Sequence, residues 1–119
     1  MSRMAIVSEK FDEACRYYGE TLGFERVDGW ERPGARAAIF DLAGLRLELL
    51  DLTREKHAPE LGDSIDRIHL VIEVDDIQAF HARLPQGMPA LYETSWAGPV
   101  LELHDPHGIP VTILQPRSV

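Results

Sequence analysis

The chain has 119 residues, enough for one compact domain or for two small lobes sharing a sheet, and too few for two independent cores. Its 45% apolar and 27% charged content is that of a soluble globular protein and not of a disordered one. Twenty acidic residues against twelve basic ones give a net charge of -8 with no Lys/Arg cluster, which argues against nucleic acid or an anionic membrane as partner and favours small molecules or proteins.

Met4 to Val7 reads as a short strand. Phe11 to Leu22 then sets Ala14, Cys15, Tyr18 and Leu22 at the three- and four-residue spacing of an amphipathic helix, with Asp12 and Glu13 suiting its positive end and Gly23 closing it. Cys15 is the only cysteine, so no intramolecular disulfide and no thiolate zinc site can form, and a packed thiol is expected. Three alternating stretches follow as strands, Phe24 to Trp30, Arg36 to Leu42 and Leu45 to Asp51, punctuated by Gly29, Pro33-Gly34 and Ala43-Gly44.

After a polar connector from Thr53 to Asp63 the order recurs: a strand from Ile65 to Val74, a helix from Asp76 to Leu84, and strands over Ala90 to Tyr92, Gly98 to His104 and Pro110 to Gln115. The fold class is therefore α+β, a single domain over 1–119 built of two βαβββ modules, 1–52 and 64–117, with the connector 53–63 between them and a period of about 60 residues. No leader peptide opens the chain and no apolar run approaches the roughly 20 residues of a bilayer span, so cytoplasmic residence is expected.

Side chains alternate across a strand, which divides each one into a helix-packed set and a set lining the opposite face. Leu45, Leu47 and Leu49 pack, leaving Arg46, Glu48 and Leu50 opposite; Ile68, Leu70, Ile72 and Val74 pack, leaving His69, Val71 and Glu73. Leu101 and Leu103 leave Val100, Glu102 and His104; Val111 and Ile113 leave Pro110, Thr112 and Leu114; Met4 and Ile6 leave Arg3 and Ala5. Two such modules side by side can curl their open faces into one trough, to which Trp30, Phe40, Tyr92 and Trp96 are expected to add aromatic surface. Trp96 carries the stronger case, because it stands in the turn Thr94-Ser95-Trp96-Ala97-Gly98 and has little packing reason to be large. His57, His81 and His107 read as surface residues, His107 within the hairpin Asp105-Pro106-His107-Gly108.

Two phrases, Tyr17-Tyr18-Gly19-Glu20-Thr21-Leu22-Gly23-Phe24 and Asp105-Pro106-His107-Gly108-Ile109-Pro110-Val111-Thr112, together resemble the vicinal oxygen chelate family of glyoxalase I, the extradiol dioxygenases and the bleomycin-resistance proteins. The resemblance implies a cupped site with metal ligands at four strand positions, usually His or Gln, Glu, His and Glu. Here those positions hold Arg3, Glu48, His69 and Thr112. Guanidinium cannot coordinate and a neutral threonine is a poor substitute for a carboxylate, so no metal is favoured, and Arg3 is expected to pair with Glu48 in the seat of the cation.

The favoured function is therefore small-molecule binding of the bleomycin-resistance type, sequestering an aromatic or cationic compound on Arg3, Glu48, His69, Trp96, Glu102, His104 and Thr112. The alternative is a lyase, isomerase or dioxygenase in which Glu48 and His69 hold Zn, Ni, Mn or Fe with help from Glu102 or His104, and His69 is the candidate base. A regulatory or structural dimer with an empty trough is a third class. Members of this size usually bury their sheet edges against a second copy, so a homodimer is expected.

Overall fold

The computed structural model describes residues 2–51 and 68–116. The connector 53–63 with His57, and residues 65–67 of the strand expected from Ile65, lie outside the described residues. The first module contains β1 (Met4–Val7), α1 (Phe11–Arg16), β2 (Glu25–Arg32), β3 (Ala35–Leu42) and β4 (Leu45–Asp51). The second repeats the series as β5 (Leu70–Glu73), α2 (Ile77–Ala82), β6 (Tyr92–Thr94), β7 (Gly98–His104) and β8 (Pro110–Leu114).

Each module forms its own four-stranded sheet, in the orders β1-β4-β3-β2 and β5-β8-β7-β6. In both, the first strand runs parallel to the last and the remaining pairs are antiparallel. The α+β class with two βαβββ windings is thus the observed one. The ladders align position by position, since Met4 pairs with Leu47 as Leu70 pairs with Val111, and Ala5 with Glu48 as Val71 with Thr112. Arg3 consequently corresponds to His69 and Glu48 to Thr112. The correspondence runs on past the strands: Ser8 N–H donates to Leu50 and Val74 N–H to Leu114, while Lys10 and Asp76 each start a helix by accepting from Ala14 and Phe80.

One buried apolar cluster runs through both halves, joining Ala14, Tyr18, Phe40, Leu47 and Leu49 to Ile72, Ile77, Phe80, Leu101 and Ile113. All the side chains assigned by alternation to the helix-packed sets belong to this cluster or pack against it. Cys15 packs on it as well, and burial pushes its thiol pKa up, which suits a structural residue.

Several boundaries differ from those expected. The first helix is α-helical only to Arg16 and then widens into a π turn over Tyr17–Thr21, with Leu22 N–H reaching Tyr17 O at 2.8 Å before Gly23 reverses at φ 76°. Gly19 sits in this turn because a Cβ there would stand 3.1 Å from the Phe40 ring. β2 begins one residue late and runs on to Arg32, with a bulge between Arg26 and Asp28, and Phe24 instead packs on Phe80. The second helix is shortened to Ile77–Ala82 because Asp76 is its cap, its carboxylate accepting from Ala79 N–H at 3.0 Å. β6 is Tyr92–Thr94 and not Ala90–Tyr92, because the turn at 95–97 sets Tyr92 opposite Val100. No helix among the described residues is long and apolar enough to cross a membrane.

Candidate ligand-binding trough

On the face of the first sheet away from α1, Glu48 is buried at 5% exposure, and Arg3 brings its guanidinium Nε to 3.1 Å from Glu48 Oε2. Oε2 lacks an aligned hydrogen bond, so this contact is an ion pair held by charge more than by geometry. The equivalent diagonal on the second sheet is occupied by His69 and Thr112, whose Nε2 and Oγ1 are 2.7 Å apart. The two halves thus place a nitrogen-bearing group at the head of the first strand against an oxygen group on the last, a guanidinium–carboxylate pair in one module and an imidazole–hydroxyl pair in the other.

The rest of the second open face is built across the ladder. Thr112 lies between Val71 and Glu102, and His104 lies beside Pro110, so Glu102 and His104 do project on the face that alternation gives them. Both are exposed. Glu102 receives the Tyr92 hydroxyl, and that hydrogen bond, with some burial, raises the tyrosine pKa. Val71 on β5, Tyr92 on β6 and Trp96 in the turn that follows it are 50%, 45% and 58% exposed. On the first sheet Trp30 lies opposite Ala37 on the same side as Glu48, with Arg32 5.6 Å above its ring.

Two expectations are corrected. Phe40 does not line the trough: the register that puts Ile39 opposite Glu48 turns Phe40 to the helix side, against Tyr18. His107 is not a surface residue; its side chain is 7% exposed, in a chain of hydrogen bonds between modules. Asp105 can only accept, so His107 Nδ1–H donates to Oδ2 at 3.0 Å, which leaves Nε2, 2.6 Å from Ser8 Oγ, to accept a hydrogen bond from the serine hydroxyl. Tyr18 OH donates to the same Asp105 oxygen at 2.8 Å. Burial alone would raise the Asp105 pKa, but hydrogen bonds from His107, Tyr18 and the Ile109 backbone outweigh it and hold the carboxyl below its ordinary value. Hydrolases order the same three side chains to activate a serine. Here Ser8 is fully buried and its Oγ already accepts from Lys10 N–H, so the chain acts as a clamp. Alternation gave no warning, because His107 lies in a turn. His81, read as a surface residue, is only partly covered, and its ring donates to Pro89 O at 2.9 Å in an exposed hydrogen bond.

Among the described residues no three His, Cys, Asp or Glu side chains gather as the ligands of an ion would. Glu48 lies on β4 of the first sheet and His69 immediately precedes β5 of the second, and each takes its partner from its own module. The donor set at the four positions, a guanidinium, a paired carboxylate, an imidazole bonded to threonine and that threonine, does not fit a divalent cation.

The doubled βαβββ winding with an open polar face on each sheet defines a fold of the glyoxalase, or vicinal oxygen chelate, class. Residues 1–88 match the family model described as Glyoxalase/Bleomycin resistance protein/Dioxygenase superfamily, and the chain belongs to that superfamily. Among solved structures, the protein SMU.1112c is 22% identical with a TM-score of 0.69 and 97% of each chain covered. A lactoylglutathione lyase from Agrobacterium tumefaciens is 20% identical with a TM-score of 0.67, covering 97% of this chain and 92% of that one. TnmS3, an antibiotic binding protein from Streptomyces sp. CB03234, is 22% identical with a TM-score of 0.65, covering 98% and 97%. At such identities the likeness is one of fold. No curated protein sequence matches the chain.

Proposed function

We propose that this chain is a cytoplasmic small-molecule binding protein, which holds an aromatic or cationic guest against its open sheet faces without a resident metal. The observation that carries the reading is the Arg3–Glu48 pair: a guanidinium, which cannot coordinate, stands 3.1 Å from the one carboxylate among the four positions. His69 and Thr112 then serve as hydrogen-bonding handles, and Glu102 and His104 as exposed polar ones at the rim. Trp96 and Tyr92 supply flat surface for stacking.

The two sheets are separate, and Val71, Tyr92 and Trp96 are exposed in the second module, so the proposal includes a homodimer in which a second copy completes the trough. That TnmS3 is an antibiotic binding protein supports a binding role on this fold, and that another neighbour is a lyase supports testing for turnover. The test is a fluorescence titration with planar aromatic cations. Quenching of tryptophan emission that saturates in metal-free buffer and is lost in Trp96→Ala is the expected result; a requirement for added Zn²⁺, Ni²⁺, Mn²⁺ or Fe²⁺ would contradict it.

A further inference from the structure

We propose that the chain carries a second binding site, separate from the trough, in the cavity where the two modules meet beside α2, and that it takes a compact organic cation with an apolar body. The cavity measures about 700 Å³, within the range of small-molecule sites, and neither Arg3, Glu48, His69 nor Thr112 lines it.

Its origin lies in the internal repeat. At one junction the modules are clamped by Ser8, Tyr18, Asp105 and His107. The aligned ladders and helix starts give the counterparts at the other junction. Ser8 maps to Val74 through its backbone bond, and Tyr18 maps to Leu84, each eight residues beyond the carbonyl that opens its helix. Leu47 and Val111 correspond, so their partners Phe40 and Leu103 do too, which maps Asp105 to Leu42 and the turn holding His107 to Ala43-Gly44. Every polar member of the clamp is replaced by an apolar one, and the turn is one residue shorter. Val74, Ala43 and Leu84 accordingly line an opening where the other junction is filled.

The opening is apolar at its floor, where the Phe24 and Phe80 rings lie 5.7 Å apart beside Leu22. Its charged lining is six carboxylates, Glu20, Glu25, Asp41, Glu73, Asp75 and Asp76, against Arg83 alone. Asp76 caps α2, and Asp41 binds Gly44 N–H and lies 3.8 Å from Arg46, so selectivity falls to Glu20, Glu25, Glu73 and Asp75. An anion is repelled from such a rim. A cation keeps its charge at the wet edge, where desolvation costs little, while its hydrocarbon body covers the phenylalanines.

The experiment titrates the ¹⁵N-labelled full chain with 2-phenylethylammonium and with the neutral 2-phenylethanol. Saturable shifts of the Gly23 and Ala79 amides are expected, with the alcohol about threefold to fivefold weaker. Leu84→Tyr, which places in the cavity the side chain found at the filled junction, should abolish the shifts. Asp75→Asn with Glu25→Gln, both at exposed positions, should weaken the amine and leave the alcohol unchanged. Equal affinity for amine and alcohol, undiminished binding in the charge variant, or no shift at Gly23 and Ala79 would overturn the proposal. No tryptophan lines this cavity, so its failure leaves the tryptophan titration of the trough unaffected, and the reverse holds as well.

Discussion

At the scale of single residues, Arg3 neutralises a carboxylate that is 5% exposed while remaining partly exposed itself. Removing the guanidinium strands a buried charge, so Arg3→Ala should cost about 1–2 kcal/mol in urea unfolding, and Arg3→Ala with Glu48→Leu should recover most of it. Asp105 makes a second test. Its folded pKa is depressed, so its stabilisation is complete above the ordinary value of 3.8 and is lost as pH falls through the folded value. Thermal unfolding of Tyr18→Phe should show a lower melting temperature at neutral pH and a shallower acid decline below about pH 4, because one hydrogen bond that lowers Asp105 is gone. Arg3, Glu48, His69 and Thr112 were legible in the sequence, since a period of two fixes which face each occupies. Phe40 and His107 were not, because an aromatic in a strand buried on both faces around it satisfies either face, and a turn has no period to read.

At the scale of elements, strand identities followed from alternation and turn residues, and the mixed pairing followed from the repeated order. What escaped was local. A π turn of five residues is too short to shift an apolar spacing, so Phe11 to Leu22 reads as one helix. β6 is set by where its partner folds back and not by its own apolarity, which is why Ala90 and Leu91 misled. Asp76 looked like a helical residue though it serves as the cap; Asp76→Ala should lower stability by about 1 kcal/mol in chemical denaturation, with Glu73→Ala as an exposed control that changes little.

At the scale of the whole molecule, two sheets of identical winding carry equivalent polar pairs, Arg3–Glu48 and His69–Thr112, and large apolar side chains are exposed in both modules, Trp30 in the first and Val71, Tyr92 and Trp96 in the second. Light scattering after size exclusion should report two copies per particle, and Val71→Glu should shift the protein toward one. The residue types at the four ligand positions were readable from the resemblance. Which sheet partner each one engages was not, because that depends on diagonal contacts across the ladders. The central claim is that the guanidinium of Arg3 stands where related metalloproteins would place an ion. Elemental analysis of protein purified without chelator tests it most directly: the account predicts substoichiometric transition metal that is unchanged by Glu48→Gln, whereas one equivalent per chain that disappears in Glu48→Gln would contradict it.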